Sequence, residues 1–121
     1  MNLTDHSIID TILAGNSNAY SILVDRYKNR VITLAYNILQ NREDAEEVAQ
    51  DAFVKAFSAL KEFKKQAAFG TWLYRIVINT ALNKRKRKKL FVVDITQEVM
   101  DGEPADFDNF SIRNMQILTI F

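Results

Sequence analysis

Apolar residues in the first half of the chain recur at steps of three and four, the repeat of an α-helix rather than the alternation of a strand. Ile8, Ile9, Ile12 and Leu13 form a short first stripe, with Thr4 placed to cap the helix start and Gly15 to stop it. A longer helix, opening at Asn16 or Ser17 and running to about Gln40, carries Tyr20, Leu23, Val24, Tyr27, Val31, Leu34, Ala35 and Ile38. The third pattern is the clearest: Ala45, Val48, Ala49, Ala52, Phe53, Ala56, Phe57 and Leu60 make one stripe behind a capping Asn41. Small alanines among the phenylalanines let a neighbour approach closely, so this helix is expected at the centre of a bundle. "KEFKKQAA", Lys61 to Ala68, breaks the pattern and reads as a polar loop. A fourth helix then starts near Phe69 to Thr71, with Leu73, Ile76, Val77, Thr80 and Ala81 on its apolar side.

After Leu90 the periodicity is lost. "FVVDI" reads as a short strand or extended piece, and "QEVMDGEPADFDNF" is acidic and holds the only proline. "SIRNMQILTIF" is too short for a domain, although its Ile117, Leu118, Ile120 and Phe121 are suited to self-association or to folding back. The expected fold is therefore all-α, a compact bundle of about four helices over residues 1–89, followed by a linker or partly ordered tail over 90–121. A length of 121 residues with one proline and three glycines agrees with a single helical domain. Without cysteine there is no disulfide framework or thiolate metal site, which fits a reducing cytoplasm. No leader pattern and no run of about 20 apolar residues is present, so a cytoplasmic chain without a membrane span is expected.

Charge changes the picture more than composition does. The net charge is only +1, but Glu43, Asp44, Glu46, Glu47 and Asp51 form an acidic run with no base. Between Lys61 and Lys89 ten bases face one acid, Glu62, and Lys84 to Lys89 are six consecutive cations. This segregation suggests two surfaces with different partners, one of them polyanionic. The acids also suit the start of a helix on dipole grounds, so simple solvation is an alternative for that run.

Enzymatic chemistry finds no footing. There is no Gly-rich phosphate loop and no nucleophile elbow, and His6 has no paired ligand. Di-metal bundles take a Glu-x-x-His pair from each of two helices, and neither pair exists here. A non-enzymatic protein with no metal and no cofactor is expected. Six adjacent cations would fray a helix end unless a line of phosphates neutralised them. Trp72, Tyr74 and Phe69 offer faces to unstacked bases, with a core position as the alternative for each of them. Asn79, Asn83 and Gln66 can read base edges. A solvated polybasic end and an anionic-lipid binder remain the other readings of the cations.

"NREDAEEVAQDAFVKAFSALKEFKKQAAFGTWLYRIVINTALNKRKRKK", Asn41 to Lys89, closely resembles the second conserved domain of bacterial sigma factors of the extracytoplasmic-function (ECF) group of the sigma-70 family. "NAYSILVDRYKNRVITLAYNIL" is similar to the helical segment that precedes it in that family, so the likeness covers about residues 5–89. The resemblance implies transcription initiation and promoter recognition. It implies that the third helix docks on the clamp helices of the largest subunit of core RNA polymerase, with Glu47, Gln50 and Asp51 at the contact positions. It implies that the loop Lys64, Lys65, Gln66, Ala67 and Ala68 and the fourth helix recognise and melt the minus-ten element, holding a flipped base of the non-template single strand. Trp72, Tyr74, Arg75, Asn79, Asn83, Lys84 and Arg85 then become DNA-facing candidates, with Lys86, Arg87 and Lys88 holding the backbone. An anti-sigma factor is a further implied partner.

Nothing after Leu90 resembles the family's helix-turn-helix domain for the minus-thirty-five element, although "SIRNMQILTIF" fits a stub of its first helix. Autonomous promoter choice by this stretch is therefore not expected. The rival reading is a sigma-like interaction domain that binds polymerase or an anti-sigma factor without productive promoter recognition.

Overall fold

A computed structural model describes residues 3–96, with side chains through Leu90. Four α-helices follow one another: α1 (Asp5–Leu13), α2 (Tyr20–Leu39), α3 (Arg42–Ser58) and α4 (Phe69–Thr96). Short 3-10 turns at Ser17–Ala19 and Leu60–Glu62 precede α2 and follow α3. Helices α2, α3 and α4 pack mutually, and α1 leans on the start of α2. Thr4 and Asn41 cap as their sequence positions predict, accepting from the Ser7 and Asp44 amides at 3.1 and 2.9 Å.

The turn from α2 to α3 is only two residues long, which Gln40 makes possible by adopting φ 55° and closing α2 as a glycine ordinarily would. Helices α3 and α4 then run antiparallel, because Lys55 meets Thr80 at one level while Asp44 meets Lys84 and Lys88 at another. Between them lies the core: Leu23, Val31 and Ala35 of α2, Val48, Ala52, Phe53 and Ala56 of α3, and Phe69, Leu73, Val77 and Ala81 of α4. The alanines of α3 are buried. They lie in the core cluster with Val48 and Phe53, on the stripe that the sequence pattern predicts.

Three expectations need correction. The segment 91–95 is neither strand nor extended, since α4 continues to Thr96. No glycine or proline interrupts positions 71–101, and once a helix is nucleated each added residue gains a hydrogen bond. Phe57 leaves the apolar stripe: it is 42% exposed, its ring tilted against Tyr20 at 4.9 Å. Phe63, inside the supposedly polar loop, is buried among His6, Phe69 and Trp72, with centroid separations of 5.8, 5.9 and 5.1 Å. The expectations for residues 97–121 lie outside the described residues.

Candidate nucleic-acid and partner interface

Helical steps of 100° place Trp72, Asn79, Asn83 and Lys86 along one side of α4. Asn79, Asn83, Lys86 and Arg87 are exposed, and Trp72 is half-buried. The Trp72 ring rests on Phe63 and Phe69, at 5.1 and 5.8 Å, so it is partly a core residue and partly an accessible π-face. The loop before α4 sits beside this ridge, with Lys64, Gln66, Ala67 and Ala68 exposed. Its position is set by two anchors: Phe63 enters the core, and Lys65, in the left-handed region at φ 58°, reaches back to bond Asp10 of α1. Lys65 is therefore engaged in holding the loop on the bundle.

Tyr74 faces elsewhere. It packs edge-on against Tyr27 of α2 at 6.0 Å and bonds the exposed Arg30, whose guanidinium it pushes up from its ordinary value. Tyr27 in turn donates to Asp5, which also holds Arg26 at 2.9 Å, so α1, α2 and α4 are joined at one polar-aromatic knot. Burial, reinforced by the Asp5 carboxylate, pushes the Tyr27 phenol above its ordinary value. Burial alone does the same to Tyr20, which donates to the Phe53 carbonyl at 2.6 Å. Arg75 is half-buried and its Nε is enclosed without a hydrogen-bond partner. Arg85 is also half-buried, and desolvation pushes its guanidinium down.

On α3, Glu47, Gln50 and Asp51 are exposed along one face, as their spacing predicts. The same face continues into Val54, 66% exposed, and then Phe57. These two line an open groove of about 490 Å³ with Ser17, Asn18, Tyr20, Ser21 and Phe53. The sequence reading missed Val54, yet its signal was present: an apolar residue at i+3 and i+4 from two polar ones, outside the core stripe.

The acidic and basic runs, read from sequence as surfaces for different partners, meet inside the fold. Lys84 lies 3.0 Å from Glu47 and 3.8 Å from Asp44, and Lys88 also bonds Asp44. Asp44 and Lys84 are largely covered, with side-chain exposures of 18% and 16%. The helix therefore survives its cation run with part of the repulsion neutralised from within. Among the described residues no group of three His, Cys, Asp or Glu side chains is placed to hold a metal, and no helix is long and apolar enough to cross a membrane.

The bundle carries a polar ridge on α4 and a polar face on α3, and the family model described as Sigma-70 region 2 matches residues 23–91. The chain belongs to that family, and its relatives make it a region 2 of the ECF type. It is 40% identical over 81 residues to the ECF RNA polymerase sigma-E factor of Haemophilus influenzae, 67% of this chain and 42% of the relative. With the ECF RNA polymerase sigma-E factor of Escherichia coli K12 the identity is 41% over the same shares. With the RNA polymerase sigma-H factor of Pseudomonas aeruginosa it is 39% over 79 residues, 65% of this chain and 41% of the relative. The chain thus spans about two fifths of the length of these curated relatives. Among solved structures, an engineered region 2 of sigmaE in complex with GTAAAA has a TM-score of 0.62 and 33% identity, covering 83% of this chain and 100% of that one.

Proposed function

We propose that this domain acts in transcription initiation in the cytoplasm, docking on the clamp helices of the largest subunit of core RNA polymerase through α3 and binding the promoter minus-ten element through α4 and the loop before it. The observation that carries the reading is the exposed ridge of Asn79, Asn83 and Lys86 in line with the accessible face of Trp72, beside a loop pinned at both Phe63 and Lys65. A solved relative with the same fold is complexed with GTAAAA, which supports single-stranded DNA as the ligand of this side.

The work done there is base capture, not catalysis. Unstacking a base costs a few kcal/mol, and stacking on an aromatic returns roughly 1–3 kcal/mol per base, so capture succeeds only on a strand already held by its phosphates. Lys86 and Arg87 supply that hold, and the asparagines of the ridge discriminate between base edges. On the other side, Glu47, Gln50 and Asp51 present carboxylates and an amide to a basic partner helix, and Val54 adds a desolvated centre to the contact.

The test is titration of the chain against the isolated clamp-helix fragment and, separately, against GTAAAA and a scrambled hexamer. Wild type should bind the clamp fragment and prefer GTAAAA. Gln50→Ala with Asp51→Lys should lose the clamp while keeping the oligonucleotide. A folded wild-type chain that ignores the clamp fragment and treats both hexamers alike would sink this reading.

A further inference from the structure

Within the run of six consecutive cations, Lys84 and Lys88 are drawn to carboxylates of α3. Asp44, at the start of α3, sits between Lys84 and Lys88, one helical turn apart on α4, and Glu47, a turn further along α3, closes on Lys84. A phosphate approaching these ammonium groups competes with carboxylates that are already in place and, for Asp44, largely shielded from water. The same Glu47 lies on the exposed face of α3 assigned above to the polymerase.

We propose that the Asp44/Glu47 pair is a built-in competitor for phosphate: it holds Lys84 and Lys88 against α3 and lowers the affinity of the domain for any polyanionic strand. The competition acts through these side chains and needs no change of fold. This inference rests on the proposed role of α4 in binding nucleic acid, but the competition itself does not require a promoter sequence.

The experiment therefore uses poly(dT), which reports phosphate binding without base choice, and measures affinity against salt for wild type, Asp44→Asn, Glu47→Gln and Asp25→Asn. Asp25 is exposed on α2 and changes the net charge equally without touching α4, its partner being Lys28 at 3.5 Å. Each cation released to a single-stranded phosphate steepens the log–log salt slope by about 0.7, so Asp44→Asn should steepen it by up to about 1.4. Between 50 and 200 mM salt that difference amounts to an extra loss of about sevenfold in affinity. Glu47→Gln should give about half the effect and Asp25→Asn almost none. Far-UV circular dichroism checks that the variants remain folded, and Glu47→Gln keeps the test open if Asp44→Asn unfolds, because Asp44 and its place near the helix start are untouched. Coincident slopes for wild type and Glu47→Gln, or an equal steepening by Asp25→Asn, would overturn the proposal. Poly(dT) binding by no variant would overturn it too. Loss of preference for GTAAAA over its scramble, with the slopes as expected, would instead count against the promoter reading alone.

Discussion

Gly70, in the first turn of α4, sets two energies against each other. Replacing it with alanine removes the conformational freedom of glycine, a gain of at most about 1 kcal/mol within a helix and less near its end. The added Cβ would lie 3.0 Å from Cε1 of Tyr27, 3.4 Å from its hydroxyl and 3.5 Å from Cε2 of Tyr74. The Tyr27 ring cannot swing away freely, because its hydroxyl is bonded to Asp5 and its faces and edges meet Phe69 at 5.5 Å and Tyr74 at 6.0 Å. Overpacking of this kind costs roughly 1–3 kcal/mol. The clash should win, leaving Gly70→Ala less stable by about 1 kcal/mol, or about 4 °C in Tm for a chain of this length. Urea denaturation checks the sign, and a cycle with Tyr27→Leu checks the cause. With the ring gone, Gly70→Ala should become neutral or mildly stabilising. A stabilising Gly70→Ala in the wild-type background, or a penalty unchanged by Tyr27→Leu, would refute the reasoning.

Trp72→Ala should act on both stability and binding, because the ring divides itself between Phe63 and Phe69 on one side and solvent on the other. A thermal shift alone, with GTAAAA affinity unchanged, would remove Trp72 from the proposed DNA face. Stability should also fall as pH rises above about 10: unfolded tyrosines ionise there, whereas Tyr20 and Tyr27 hold their protons in the native state, so the unfolded form binds fewer protons. Tyr20→Phe and Tyr27→Phe should each flatten that alkaline loss in a urea midpoint series, and an unchanged slope in both would show that neither phenol is responsible.

The fold was largely legible because its causes are local. Thr4 and Asn41 announce helix starts, the spacing from Tyr20 to Ile38 marks one face of α2, and the alanines of α3 mark its buried face. The end of α4 was less legible, since apolar residues such as Phe91, Val92 and Val93 favour strands in general and only continuity with a nucleated helix decides otherwise. Phe57 and Phe63 exchanged their expected places for a reason periodicity cannot express. A residue at the edge of a stripe is buried only if another element arrives to cover it; Phe63 finds His6, Phe69 and Trp72, whereas Phe57 finds, among the described rings, that of Tyr20.

By itself the sequence determined the all-helical class, the likeness to sigma-70 region 2, and which segments carry acids, amides, aromatics and cations. Only the tertiary structure decided how those groups divide. Tyr74 turns to Arg30 and Tyr27 instead of joining Trp72, Lys65 is spent on Asp10, and Lys84 and Lys88 are drawn to Asp44 and Glu47 across 40 residues of chain. A charge run in a sequence states what a segment carries, but its partners depend on which helix packs antiparallel beside it, and that is a property of the bundle as a whole.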